Sequence, residues 1–144
     1  MSGLPVPRIL ANRYVVQSQI GEGGTALVFR VEDRKLGVAR AVKCLHPKWC
    51  DENKARKRFE NEARLMAQLK DPHIVPVHDV EIEGHIPFMV MDWLEGGSVG
   101  QVLKLRSLTA DEAVQIMRAV LSGLQTAHAH GVVHRDVKPH NVLL

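Results

Sequence analysis

At 144 residues the chain has room for one ordinary domain with its own core. Hydrophobic residues at 45% and charged residues at 24% fit a globular protein and exclude a disordered or fibrous chain. The net charge of +3 is only mildly basic and aromatics are 4%, which argues against a nucleic-acid binder, whose basic surface is broader and interleaved with stacking aromatics.

The chain opens with a leader, residues 1–12, that lacks the apolar stretch of a signal peptide. Tyr14–Ile20 has strand composition and runs into Gly21-Glu22-Gly23-Gly24, after which Leu27–Val31 resumes as a strand. Two strands joined through glycines predict a hairpin. Its tip is open to two readings, a flexible turn or a loop whose backbone N–H groups close over phosphates. A dinucleotide-binding fold is excluded, because that loop would have to open a helix. A third strand, Ala39–Leu45, carries Lys43 near its end.

Asp51–Lys70 predicts the first helix, with Phe59, Ala63, Met66 and Leu69 on one apolar stripe. Glu62 lies beside that stripe and is the expected carboxylate partner of Lys43, whereas Glu60 is expected in solvent. The basic run Lys54, Arg56, Lys57, Arg58 is expected as a solvated face. Asp71-Pro72 stops the helix. Val75–Ile82 and His85–Asp92 then predict two strands around Glu83-Gly84, which makes five strands and one helix by residue 92.

Glu95-Gly96-Gly97 has linker composition, and Ser98 can cap a short helix through Leu105. Thr109 and Glu112 form a capping box for a long helix that ends near His130, with Gly131 as its stop. The apolar side chains of that helix cover roughly 220° of its wheel, against about 100° for a surface helix, so it expects more than one neighbour. His128, His130 and His134 lack the spacing and supporting groups of a metal cluster. Cys44 is expected as a buried strand residue and Cys50 as a loop thiol; two cysteines make no disulfide framework, which suits a reducing, cytoplasmic setting. No apolar run reaches the roughly 18 residues of a membrane span.

The decisive run is His134-Arg135-Asp136-Val137-Lys138-Pro139-His140-Asn141. Here the sequence resembles the protein kinase superfamily, whose pattern is His-Arg-Asp, four residues, then Asn. Glycine loop, strand lysine, helix glutamate and catalytic loop follow in that family's order across residues 13–144. Lys138-Pro139 resembles the serine/threonine branch, in the style of bacterial Hanks-type kinases. Arg135 and Lys138-Pro139 also disfavour a small-molecule phosphotransferase of kinase-like fold.

The resemblance implies an α+β fold: a five-stranded antiparallel lobe over about 13–92, a hinge over about 92–97, and a partial helical lobe over 98–144. It implies ATP and Mg²⁺ as cofactors and protein Ser/Thr hydroxyls as substrates. Ile20, Gly21, Glu22, Gly23, Gly24, Thr25 and Ala26 would form the loop over the ATP phosphates, with Ala26 in place of the family's third glycine. Val28 and Ala41 would cover the adenine on one side and Leu143 on the other. Met91 resembles the residue at the back of the nucleotide site, and Asp92 to Leu94 the hinge. Lys43 would hold the α- and β-phosphates, steadied by Glu62. Asp136 would orient the substrate hydroxyl and accept its proton, Lys138 would steady the phosphoryl group, and Asn141 would ligate Mg²⁺. Arg135 would receive a phosphorylated activation loop. The chain ends at Leu144 without the Asp-Phe-Gly motif, so residues 1–144 alone are expected to be inactive and poorly stable. The alternative implied is a non-catalytic, kinase-like nucleotide-binding or regulatory protein.

Overall fold

A computed structural model describes residues 3–144. They form two compact units, one of residues up to Gln68 with Pro76–Trp93, the other of Leu69–Val75 with Leu94–Leu144.

The first unit is an antiparallel sheet with one helix. Its strands are β1 (Ile9–Leu10), β2 (Tyr14–Glu22), β3 (Ala26–Asp33), β4 (Val38–Leu45), β5 (Val77–Glu83) and β6 (Ile86–Asp92), in the order β1-β2-β3-β4-β6-β5. The sheet is therefore six-stranded, not five-stranded. The extra strand lies in the segment read as a leader, where Ile9 and Leu10 pair with Val15 and Tyr14. Two residues are too short to carry an alternation signal, yet Val6 and Leu10 are both buried in the core.

Alternation along each strand assigns the two faces. Leu27, Phe29, Val31, Val42, Cys44, Phe88 and Val90 point into the core, and all are essentially without solvent contact. The register stacks Phe29 beside Val42 and Val42 beside Val90. The sheet curls, because its two ends meet. Ala11 N donates to Glu83 Oε2 at 2.7 Å, and Tyr14 Oη donates to Asp79 Oδ2 at 3.1 Å, although β1 and β5 are opposite edges. The Tyr14 ring also meets Phe88 edge-on at 6.3 Å.

Helix α1 (Asn53–Gln68) lies against β5 and β6 and buries Phe59 and Ala63, the centre of the predicted stripe. It reaches the sheet through a 3-10 turn, Pro47–Trp49, followed by the fully buried Cys50. Cys50 is thus a loop thiol, as expected, but one buried in the core. Burial pushes the Cys44 thiol up to about 12, so it stays protonated and unreactive.

One buried ion pair braces this unit. The Asp33 carboxylate, 1% exposed, accepts from Arg13 Nε at 2.8 Å and Nη2 at 2.7 Å. It also accepts from the amides of Lys35 (3.0 Å) and Leu36 (3.3 Å). The Arg13 bonds, and then those amides, hold its pKa down to about 2 from an ordinary 3.8. A depressed carboxylate pKa contributes stability above the unfolded value and loses it as pH falls through the folded value. This contribution, about 2 kcal/mol, is therefore complete above pH ~4 and gone below pH ~2. Asp33→Asn should cost about 3 kcal/mol near neutrality by stranding Arg13, and urea midpoints measured from pH 7 to pH 2 should lose this acid-range slope.

The second unit holds α2 (Val99–Leu105) and α3 (Ala110–Ala129). Ser98 and Gln101 form a capping box on α2, and Thr109 and Glu112 form the predicted one on α3. Helix α3 ends at His130, and Gly131 takes φ +75°, which a side chain would disfavour. Residues 69–75 pack here too, since Thr126 Oγ1 donates to Asp71 Oδ2 at 2.5 Å. At Gly123 a Cβ would stand 2.9 Å from the His73 carbonyl, so only glycine admits that segment. Val114, Met117 and Leu121 of α3 are about half exposed. No helix among the described residues is long and apolar enough to cross a membrane.

Candidate active site

In the first unit the hairpin register defines the loop. Gly21 pairs with Val28 and Glu22 with Leu27, so Glu22 is still strand and the free tip is Gly23–Thr25. Gly23 N donates to Ala26 O at 2.8 Å and closes the turn. A Cβ at Gly24 would meet nothing within 4 Å, and one at Gly23 only Ala26 O at 3.7 Å. Within the protein, then, the glycines relieve no crowding; what they keep bare is the outer side of the loop. Ile20, Glu22 and Thr25 are exposed along it, while Ala26 is buried.

Cross-strand partners share a face of a sheet. Val28 pairs with Lys43, Lys43 with Met89, and Ala41 with Met91, so Val28, Ala41, Lys43 and Met91 stand on one face with Gly21 opposite Val28. This is the face opposite the buried Phe29–Val42–Val90 row. Asp92 ends β6, where its Oδ1 accepts from Arg40 Nη1 at 2.6 Å and contacts His78 Nε2. Trp93 follows, with Arg30 stacked 5.3 Å from its ring centroid.

Lys43 Nζ lies 3.6 Å from Glu62 Oε1. The two side chains paired by the sequence reading thus meet, but the expected burial is reversed. The Glu62 side chain is 55% exposed, whereas that of Glu60 is 23% exposed and reaches toward Arg64. The reason is that Glu62 borders a cavity of about 310 Å³ between the hairpin tip, β4 and α1. Thr25, Ala26, Lys43, Lys54, Arg58 and Glu62 are among its walls. Lys54, Lys57 and Arg58 of the basic run are exposed, as a solvated face requires, and Lys54 and Arg58 also border this cavity.

In the second unit, residues 134–141 form a compact polar loop. Arg135 has φ +66°, a left-handed conformation that costs a non-glycine residue of order 1 kcal/mol and is commonest at functional sites. Asp136 N donates to His134 Nδ1 at 3.2 Å. Lys138 Nζ is 3.1 Å from Asp136 Oδ2. The 3-10 turn Pro139–Asn141 brings Asn141 Nδ2 within 2.9 Å of the Asp136 carbonyl and 3.2 Å of Asp136 Oδ2. The Lys138 contact, ahead of Asn141, holds the Asp136 carboxyl below its ordinary range, so it is ionised at neutral pH. His134 is exposed: within its unit no described element covers it. Leu143 bridges Ser98, and Leu144 N donates to Gly97 O at 2.9 Å, which places this segment beside the partly buried Leu94–Ser98 stretch.

Trp49 was not singled out by the sequence reading. Its Nε1 donates to Gly24 O at 3.0 Å, directly at the hairpin tip. The available signal was a tryptophan, one of only two in the chain, in a short turn just past the strand lysine.

A curled antiparallel sheet with a glycine hairpin, a strand lysine paired to a helix glutamate, and a helical unit with a His-Arg-Asp loop make up a protein kinase-like fold. Residues 14–144 match the protein kinase domain, and the chain belongs to that family. It is 39% identical over 137 residues to the serine/threonine-protein kinase PknL of Mycobacterium tuberculosis, covering 94% of this chain and 34% of that protein. It is 42% identical over 149 residues to serine/threonine-protein kinase A of Synechocystis, covering 95% of this chain and 28% of that protein. The crystal structure of the M. tuberculosis PknI kinase domain matches all of this chain with a TM-score of 0.78 and 29% identity, over 59% of its own length. The chain thus spans about a third or less of these two curated relatives. The α+β protein kinase-like fold is shared with that solved domain.

Members of this family use ATP and typically Mg²⁺. The residues present fit both. The hairpin tip leaves backbone open beside a cavity lined by Lys43, Lys54 and Arg58, which suits phosphate. Asn141 spends its Nδ2 on Asp136, and among the described residues no hydrogen bond uses its Oδ1, the atom a hard cation would take. No three His, Cys, Asp or Glu side chains converge among the described residues, so Asn141 would be one ligand of a site that phosphate oxygens and other groups complete.

Proposed function

We propose that this chain carries the ATP-binding lobe and catalytic loop of a serine/threonine protein kinase, which transfers the γ-phosphoryl group of ATP to Ser or Thr hydroxyls of proteins. The observation that carries the reading is the Asp136–Lys138–Asn141 cluster, in which an ionised carboxylate is fixed by a lysine and an amide.

Phosphoryl transfer asks little covalent chemistry of the protein; it needs positioning and charge neutralisation. The Ile20–Ala26 loop is assigned to the phosphates, and Val28, Ala41, Met91, the Asp92–Leu94 hinge and Leu143 to the adenine. Lys43, steadied by Glu62, supplies fixed positive charge to the α- and β-phosphates. Asp136 accepts a hydrogen bond from the substrate hydroxyl and takes its proton as the hydroxyl oxygen bonds to the γ-phosphorus and the bond to ADP breaks. Lys138 offsets charge on the moving group. Mg²⁺, held in part by Asn141, neutralises phosphate charge when bound. Arg135 is assigned to a phosphorylated activation loop. The protein works in the cytoplasm on protein substrates.

Residues 1–144 contain no Asp-Phe-Gly, a segment the family uses to hold metal. With radiolabelled ATP and a generic basic protein substrate, a kinase domain extended through that motif should transfer label, and residues 1–144 alone should not. Transfer by the 144-residue polypeptide, or none by the extended domain, would overturn the reading.

A further inference from the structure

The hairpin tip is exposed and closed on itself by one backbone bond, Gly23 N to Ala26 O. Its other restraints come from a single place, the 3-10 turn between β4 and α1. His46 N donates to Thr25 O at 2.8 Å, and the Trp49 indole donates to Gly24 O at 3.0 Å. His46 Nε2 also lies 3.8 Å from Glu22 Oε1. The turn itself is held by its own contacts. Pro47 opens it, and the buried Cys50 Sγ contacts the Leu45 and His46 carbonyls, both at 3.6 Å. Trp49 O then accepts from Glu52 N at 3.1 Å, one residue before α1 begins.

We propose that Trp49 is a positioning residue for nucleotide phosphate: its indole N–H fixes the Gly24 carbonyl and thereby sets where the tip amides stand. The inference rests on the kinase reading above. Its physical basis is preorganisation. A glycine-rich tip has more conformational freedom to lose than any other sequence, and that loss is charged against phosphate binding unless it is settled beforehand. The indole bond orients the Gly24–Thr25 peptide from its carbonyl side, which leaves the Gly24 and Thr25 N–H groups for a ligand, the Gly23 N–H being used on Ala26 O. Trp49 touches no reacting atom in this role. Because the turn leads into α1, it also ties the tip to the helix that bears Glu62.

The readout separates phosphate from base. In the full-length protein, dissociation constants for Mg·ATP and for adenosine are measured by calorimetry in wild type and in Trp49→Phe, which keeps an aromatic ring and removes the N–H. The loss of one neutral hydrogen bond predicts about 3- to 10-fold weaker ATP binding, with adenosine binding unchanged and only a small fall in the thermal midpoint. Equal weakening of both ligands, or no change in either, overturns the proposal. A wild type that binds neither ligand defeats the kinase reading itself, which is a different result. If Trp49→Phe does not fold, replacement of Trp49 by benzothienylalanine preserves the bicyclic ring without the donor and is judged by the same criteria.

Discussion

Lys43→Met should lower kcat/KM in the extended kinase domain by about 10²-fold or more, the usual scale for losing one preorganised charge contact to a transition state. The expectation follows from where the lysine stands. Its backbone is held on both sides, opposite Val28 on β3 and Met89 on β6, and Met89 is buried. Methionine has similar length and reach, so the strand and its packing survive. The ion pair is open to solvent, with side chains 34% and 55% exposed, and such pairs contribute at most about 1 kcal/mol. The thermal midpoint should therefore hardly move while turnover falls. Steady-state kinetics alongside a melting curve check both halves. Unchanged kinetics would remove Lys43 from the site; a collapsed midpoint would make it structural.

The contrast between Lys43 and Glu62 shows what a sequence can and cannot convey. The strand lysine was legible because it stands near the end of an apolar strand, and the helix glutamate because it adjoins the Phe59–Ala63 stripe. Those are local patterns. The reversed exposure of Glu60 and Glu62 was not legible, because it depends on a cavity bordered by a hairpin tip nearly forty residues earlier. The curl of the sheet was hidden for the same reason: Tyr14 and Asp79 are 65 residues apart, and no periodicity links them. Strand β1 was missed because two residues make no pattern. The segment 69–75 was read with the first lobe because it follows α1, but a hydrogen bond from Thr126 and the bare face of Gly123 place it with α3. The capping box of α3, by contrast, is legible because it is complete within four residues, and so is Ser98 as the cap of α2, though not its return bond from Gln101.

Asp136→Asn is expected to lower transfer to serine or threonine by about 10²- to 10⁴-fold, the range for removing a positioned acid–base group, while leaving ATP affinity nearly intact. Asparagine is close in shape but carries no negative charge and cannot take a proton at that oxygen. The loop should survive the change. Asn141 Nδ2 holds the main-chain carbonyl of residue 136 at 2.9 Å as well as the carboxylate, and the residue 136 amide is separately bonded to His134. What is lost is the charge that Lys138 faces at 3.1 Å, and with it the orientation of both groups toward a hydroxyl. The depressed pKa of Asp136 adds a sign to the test. A carboxylate held below its ordinary range by Lys138 stays ionised down through mild acid, so any acid-side loss of the wild-type rate assigned to this group should set in below the range of an ordinary aspartate. The Asn variant should be slow at every pH, without that acid limb. Loss of ATP binding in step with activity would instead make residue 136 a structural member of the loop, and an acid limb unchanged in the variant would assign the titration elsewhere.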